Sequence, residues 1–122
     1  NLLKIILQTS LLALLPLAGS LHLALTQLNP LPLALYVVMS IATFGLYSDD
    51  KARAQKGRWR IPERTLHLCE LAGGWPGGFA GQQRLRHKSR KPSYQAVFWI
   101  ISAIHLLTWL GWLMFVLLEL TA

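Results

Sequence analysis

Charge is scarce in this chain and unevenly distributed. Asp, Glu, Lys and Arg make up only 14% of its 122 residues, against about a quarter in ordinary soluble domains. Counting histidine as neutral, no charged residue occurs from Ile5 to Ser48 or from Pro92 to Leu118. A soluble helix would carry charges on its outer face. The deficit therefore excludes an ordinary soluble domain and predicts a membrane protein.

Cysteine and the common catalytic patterns are also lacking. Cys69 is the single cysteine, which excludes an internal disulfide. The sequence has no Gly-rich phosphate loop of the nucleotide-binding kind and no Ser-His-Asp arrangement that spacing supports. It therefore identifies no reaction, and a non-enzymatic role is favoured over an enzyme. No cofactor and no metal ion are predicted.

Three apolar segments can each cross a bilayer, which takes about 20 residues. The predicted spans are residues 2–26, 33–47 and 94–120. The prolines between Asn29 and Pro32 supply a turn between the first two spans, and Pro16 is a candidate kink in the first. Because the second span is short, its helix is predicted to continue past Ser48 until Gly57 ends it.

The distribution of cations predicts the topology. Eleven of the twelve Lys and Arg residues lie between Lys51 and Lys91, and short loops rich in these residues stay in the cytoplasm. The basic segment 48–93 and the N-terminus are therefore predicted to be cytoplasmic, with the C-terminus outside. Residues 1–122 are predicted to form one multi-pass membrane domain.

A mostly apolar stretch from Leu66 to Gln83 interrupts this basic segment. Because cations flank it on both sides, it is predicted to enter and leave the membrane by the same face, as a helical hairpin over residues 62–88. Its turn is assigned to Gly73, Gly74, Pro76, Gly77 and Gly78. Glycines four residues apart, Gly74 with Gly78 and Gly77 with Gly81, predict close approach of another helix. The predicted fold is thus an all-α membrane protein with three transmembrane helices and a Gly/Pro-broken re-entrant hairpin; a surface helix and a full span are the alternatives.

An ordered set of motifs runs through the basic segment. It reads Asp50-Lys51-x-x-Ala54-x-x-Gly57-x-x-Arg60-Ile61-Pro62-Glu63-x-x-Leu66, then Gly73-Gly74-x-Pro76-Gly77, then Arg84-x-Arg86-His87-Lys88-x-x-Lys91. In these residues the chain resembles the bacterial membrane family called domain of unknown function 1294, over about Tyr47 to Phe98. The resemblance implies the bacterial inner membrane and no known activity. Some relatives carry an N-terminal cold-shock domain, which implies a fused domain or a cytoplasmic protein as a partner.

The cations after the hairpin form a positive stripe, since helical residues at i, i+3, i+4 and i+7 share one face. Such a stripe at a membrane surface attracts anionic lipid by about 1 kcal/mol per cation. The predicted ligands of an anionic lipid headgroup, or of an acidic partner, are Arg60, Arg84, Arg86, His87, Lys88 and Lys91. The alternative is that these charges only fix the orientation. Direct binding of nucleic acid is disfavoured, because few aromatic residues could stack on bases. The oligomeric state is not predicted.

Acidic and imidazole side chains recur on one face of the predicted hairpin helix. Glu63, His67 and Glu70 stand at i, i+4 and i+7, and an ionisable residue at membrane depth is a functional hypothesis. With His87 they are the candidate residues of a membrane-embedded enzyme or proton-coupled device. The competing interpretation is simple ion pairing. The predicted structural ion pairs, which join the second span to the hairpin, involve Asp50, Lys51 and Glu63.

Overall fold

The structure is a computed structural model that describes residues 1–85 and 91–122. These residues form helices and contain no strand, which confirms the all-α prediction for the described part. The elements are α1 (Leu2–Leu12), α2 (Leu14–Thr26), α3 (Leu31–Gln55), α4 (Glu63–Cys69), a π-helical turn (Glu70–Gly74), α5 (Trp75–Leu85) and α6 (Pro92–Thr121).

Two helices, α3 and α6, are long and apolar enough to cross a membrane. They have 25 and 30 residues, and at about 1.5 Å per residue each exceeds a hydrocarbon core of about 30 Å. Helices α1 and α2 meet the same criterion only as a bent pair, which brings the candidate spans to three. These apolar helices are consistent with a membrane protein.

The first apolar segment breaks between α1 and α2. The two helices differ in direction by 60°, and the break falls at Ala13. Proline has no N–H, and its ring meets the carbonyl four residues earlier, which for Pro16 is the carbonyl of Leu12. The kink predicted at Pro16 is therefore confirmed, and the chain bends on its N-terminal side.

Helix α3 continues well beyond the predicted span, as expected. It ends at Gln55, and Gly57 follows with a φ of 66°. Glycine adopts this left-handed conformation without steric cost, so it stops the helix. The extension carries Asp50 and the cations that follow it to one end of the bundle.

The turn between α4 and α5 is narrower than predicted. Gly73, with a φ of 126°, is the residue in the π-helical turn that departs from helical geometry. Gly74 completes that turn, and Pro76, Gly77 and Gly78 belong to the first turn of α5. Proline is tolerated there because the first helical residues have no intrahelical N–H partner. The last residues of the predicted hairpin, 86–88, lie outside the described residues.

The glycines assigned to the turn instead create a flat surface against α3. A Cβ atom on Gly77 would lie 2.6 Å from the backbone carbon of Ser40, and one on Gly81 would lie 3.1 Å from Cβ of Tyr47. A Cβ atom on Gly74 would lie 2.6 Å from the Met39 carbonyl. The close helix approach predicted from the four-residue glycine spacing is confirmed.

The segment from α4 to α5 forms a hairpin whose two ends meet α3 at one level. The Ile61 N–H donates to Asp50 at 2.9 Å, and the Lys51 ammonium group donates to the Leu85 carbonyl. The tip lies far along α3, since a Cβ atom on Gly73 would be 3.2 Å from the Leu35 carbonyl. At about 1.5 Å per residue, the hairpin covers about 22 Å of α3. We call the end of the bundle formed by residues 50–64, 85 and 91 the basic end.

Candidate functional site

Glu70 is a fully buried carboxylate at the start of the π-helical turn. The preceding helix places His67 three residues earlier on the same face, and His67 Nδ1 lies 2.7 Å from Glu70 Oε1. Sequence analysis proposed this pair, and the structure brings it together. The His67 ring also stacks on Tyr94, with ring centroids 4.1 Å apart.

Two tyrosines from the long helices complete the surroundings of Glu70. The Tyr47 hydroxyl of α3 donates to Glu70 Oε2 at 2.5 Å, and the Tyr94 hydroxyl of α6 lies 3.5 Å from the same oxygen. The two hydroxyls also hydrogen-bond each other. Because the single proton of Tyr47 is directed at Glu70, Tyr94 is the donor in that bond. The carboxylate therefore links the hairpin to both α3 and α6.

A chain of amides extends this polar cluster toward the surface. The Gln82 amide nitrogen donates to the Tyr47 hydroxyl at 3.1 Å, and the Gln82 carbonyl oxygen accepts from Gln95 at 2.7 Å. Trp99 then donates to Gln95 at 3.1 Å. Buried polar groups are stable only when hydrogen-bonded, and Gln82 meets that condition. We call Tyr47, His67, Glu70, Gln82 and Tyr94 the Glu70 cluster.

Burial shapes the electrostatics of this cluster. Loss of solvation raises the pKa of the Glu70 carboxyl, and the hydrogen bonds from Tyr47 and His67 oppose that rise only in part. The missing side chain of Gly78 provides the space, since a Cβ atom there would lie 3.2 Å from Glu70 Cδ. The site can therefore hold a proton on a buried carboxyl group.

The other predicted acid–base residues do not join this cluster. Glu63 is partly exposed, and its Oε2 lies 2.8 Å from the ammonium group of Lys91. His87 lies outside the described residues. The predicted face of Glu63, His67 and Glu70 therefore does not form one site. Glu63 lies at the basic end, whereas Glu70 lies deeper in the bundle. Among the residues that the structure describes, no group of three His, Cys, Asp or Glu side chains could hold a metal ion.

The predicted ion pairs at the basic end have varied outcomes. Asp50 is fully buried and accepts from Arg60 Nη2 at 3.0 Å and from Nε at 3.4 Å, the two-point geometry that strengthens Arg–carboxylate pairs. This bond raises the pKa of Arg60. Glu63 pairs with Lys91. Lys51 binds a backbone carbonyl, that of Leu85, where an ion pair was predicted.

The predicted anion-binding cations likewise fall into different settings. Arg60 and Lys91 already bind carboxylates. Arg84 is exposed and, within residues 1–85 and 91–122, forms no ion pair. The predicted ligands Arg86, His87 and Lys88 lie outside the described residues. The positive stripe as a whole is therefore still a prediction.

A basic pocket that sequence analysis missed lies at the end of α3. It has a volume of about 570 Å³ and is lined by Arg53, Gly57, Arg58, Trp59 and Arg60. Arg53 is held by Asp49 at 3.0 Å and donates to the Trp59 carbonyl at 3.2 Å. Trp59 is 91% exposed. The alternation of cations along the loop was visible in the sequence, but their convergence depends on the turn at Gly57.

A second polar cluster joins the hairpin tip to α6. His105 Nε2 lies 2.9 Å from the Leu71 carbonyl, and its Nδ1 lies 2.6 Å from the Tyr36 hydroxyl. Because a carbonyl only accepts, Nε2 carries the proton and Tyr36 donates to Nδ1. Trp109 donates in turn to Tyr36 at 2.7 Å. A histidine inside an apolar span needs hydrogen-bond partners. The presence of His105 in such a span could therefore have predicted this second cluster from the sequence.

Comparison with known proteins locates the Glu70 cluster within a family. Residues 40–94 match the family described as protein of unknown function (DUF1294). Over 62 residues the chain is 34% identical to the uncharacterized protein YsdA of Bacillus subtilis (strain 168). This alignment covers 51% of this chain and 70% of YsdA. The chain belongs to the DUF1294 family. No solved structure matches it significantly.

The resemblance predicted from the sequence is thus confirmed. The DUF1294 match includes the basic end of α3, the whole hairpin and the start of α6. All five members of the Glu70 cluster lie inside these limits, whereas Tyr36, His105 and Trp109 lie outside them. Sequence analysis found His67 and Glu70 by their spacing. It missed Tyr47, Gln82 and Tyr94, since single polar residues on separate elements carry no pairing signal.

Proposed function

We propose that this DUF1294 protein is a three-span protein of the bacterial inner membrane whose basic end lies in the cytoplasm and binds anionic phospholipid headgroups. The spans would be the bent α1–α2 pair, α3 and α6, and the α4–α5 hairpin would be re-entrant. Two observations support the re-entrant form: both hairpin ends are fixed at one level of α3, and the tip reaches Leu35. The length of about 22 Å is shorter than a hydrocarbon core of about 30 Å.

The observation that carries the lipid proposal is the basic pocket of Arg53, Arg58, Trp59 and Arg60. Carboxylates hold Arg53 and Arg60 in position, and each guanidinium group has five N–H donors, so several can still reach a phosphate. Arg58 forms no ion pair within the described part of the chain. An exposed tryptophan beside these cations is typical of a membrane–water interface.

The expected loss of anionic lipid on substitution of one cation can be calculated from the contribution of a single charge. A cation near an anionic membrane surface contributes about 1 kcal/mol, which is about fivefold in an equilibrium constant. The Arg58→Gln variant is therefore expected to lose about fivefold of its enrichment in phosphatidylglycerol and cardiolipin. The measurement is mass spectrometry of the phospholipids that co-purify with the protein, compared with the total membrane extract.

Lys56→Gln is the matched control, because it removes the same charge from an exposed residue outside the pocket. It should keep most of the enrichment. The enrichment should also fall in about 1 M salt, where the screening length is about 3 Å. Equal lipid content in wild type, Arg58→Gln and Lys56→Gln would contradict headgroup binding at this pocket.

A second candidate function rests on the Glu70 cluster. Its partners are one histidine and two tyrosines, and a buried carboxylate in such surroundings is poised to exchange a proton. We infer that Glu70, with His67, could serve a proton-coupled device, although Glu63 is engaged elsewhere. The Glu70→Gln variant removes the titrating group while keeping the shape of the side chain, and the pH dependence of stability reports its loss.

A further inference from the structure

A groove lies between α1, α3 and α5. It consists of two cavities of about 310 and 320 Å³. Both are lined by Thr9, Ser10 and Ala80, so they are continuous. Toward one end the groove reaches Leu2 and Arg84, and toward the other it reaches Leu17 and Tyr36.

The groove exists because of a bend and of small side chains. The 60° break at Ala13 turns α1 away from the direction of α2. On the facing surface, Gly77 lies directly against the backbone of Ser40, with no room for a Cβ atom, and presents only backbone to the groove. Ala80 and Ser10 add little volume. The gap therefore follows from the backbone and does not depend on one flexible side chain.

The lining of the groove changes from charged to apolar along its length. Among the described residues that line either cavity, Arg84 is the one that carries a charge. Beyond it the walls are mostly apolar, with Ile6, Phe44, Val37 and Ile41 among them, and the hydroxyl groups of Thr9, Ser10 and Ser40 also line them. Four of the five carboxylates of the chain already bind other partners, and the fifth, Glu119, lies near the far end of α6. Within residues 1–85 and 91–122, no carboxylate forms an ion pair with Arg84.

We infer that this groove holds one acyl chain of a single anionic phospholipid, with the phosphate of that lipid on the Arg84 guanidinium group. The choice of an anionic phospholipid rests on the proposed function, but the residues that would bind it here are those of the groove and not those of the basic pocket. From Pro76 to Arg84, α5 rises about 12 Å, close to the roughly 15 Å depth of one leaflet. Arginine suits the phosphate because its donors can bind two oxygens at once, and an apolar channel suits the chain below it.

The test fills the groove without changing charge. Ala80→Phe places a ring in the segment that both cavities share, and Arg84→Gln removes the cation but keeps the groove open. Native mass spectrometry in detergent with added phosphatidylglycerol or phosphatidylcholine counts bound lipids. Wild type is expected to retain one phosphatidylglycerol that survives high salt. Ala80→Phe should lose it, and Arg84→Gln should bind both lipids alike.

The Arg58→Gln variant separates this inference from the proposed function. If it loses salt-sensitive lipid while Ala80→Phe and Arg84→Gln both keep the wild-type number and selectivity, the groove inference is overturned and the basic pocket stands. A change in the oligomeric mass of Ala80→Phe, with lipid content unchanged, would show that a second copy occupies the groove and would also overturn it. An unaltered helical circular dichroism spectrum identifies folded variants.

Discussion

Glu70 accepts hydrogen bonds from His67 and Tyr47 while fully buried, and the Tyr94 hydroxyl lies 3.5 Å from it. Removing a carboxylate from water is costly, and the hydrogen bonds that Glu70 accepts offset that cost only in part. The carboxyl group therefore prefers its protonated form more strongly in the folded chain than in the unfolded one. A single residue thus makes the stability of the bundle depend on pH.

The Glu70→Gln variant is expected to lose this pH dependence. Burial raises the pKa of Glu70 above its ordinary value of 4.5, so the folded state keeps its proton to a higher pH than the unfolded state. The stability that results is complete below the ordinary pKa and is lost as pH rises through the raised pKa. The measurement is the apparent melting temperature in detergent between about pH 4 and about pH 8.

The exposed carboxylate Glu119 provides the control. Glu119→Gln should keep the wild-type fall in melting temperature with rising pH, whereas Glu70→Gln should flatten it. If wild type and Glu70→Gln give parallel curves, Glu70 does not titrate in this range, and the proton-coupled candidate loses its support.

At the scale of elements, the hairpin depends on glycines that remove side chains from its contact with α3. Gly77, Gly74 and Gly81 all face that helix, and each would place a Cβ atom in close contact with it. Membrane helices associate through such close backbone approach, since lipid supplies little hydrophobic driving force between them. The glycines therefore stabilise the contact although each one weakens the helix that contains it.

Gly77→Ala is expected to destabilise the bundle by about 1–3 kcal/mol, because overpacking of a tight contact costs that much. Gly45→Ala is the matched control, since no atom outside its own stretch of α3 backbone lies within 4 Å of a Cβ atom there. It should be neutral or stabilising by up to about 1 kcal/mol, from helix propensity alone. Thermal unfolding in detergent compares the two. Equal melting temperatures would show that the α3–α5 contact is not tight at Gly77.

Most of the helix lengths and breaks could be predicted from the sequence, because particular residues determine them. The length of α3 followed from its apolar run and from Gly57, and the kink in the first segment followed from Pro16. The turn at Gly73 was placed too broadly, because glycine serves both turns and close contacts and the sequence does not distinguish the two uses. Tyr47 and Tyr94 could not be paired with Glu70, since that pairing depends on how three separate elements pack.

At the scale of the whole molecule, the proposed topology puts the start and the end of the hairpin on one side of the membrane. Single cysteines in a Cys69→Ser background test this at Lys56, Gln83 and Asn29. A membrane-impermeant thiol reagent should label Lys56→Cys and Gln83→Cys only in inverted vesicles, because both positions lie toward the basic end. Asn29→Cys should be labelled only in intact cells, because it follows α2 at the opposite end of the bundle.

The exposed residue Gln83 decides between the alternatives. Labelling of Gln83→Cys from outside, with Lys56→Cys labelled from inside, would make the hairpin a full span and would contradict the re-entrant arrangement. The Cys69→Ser parent chain, which has no cysteine, measures the background of the reaction.

The contacts of Tyr94 with the other members of the Glu70 cluster also imply an order in which the helices enter the membrane. Residues 62–85 leave the ribosome before α6 does, and until α6 emerges neither the Tyr94 hydroxyl nor the ring that stacks on His67 is available to the hairpin. A nascent hairpin would therefore carry an incompletely solvated carboxylate into the bilayer. We expect the hairpin to stay at the membrane surface until α6 inserts, so that this middle segment becomes buried only after the helix that follows it.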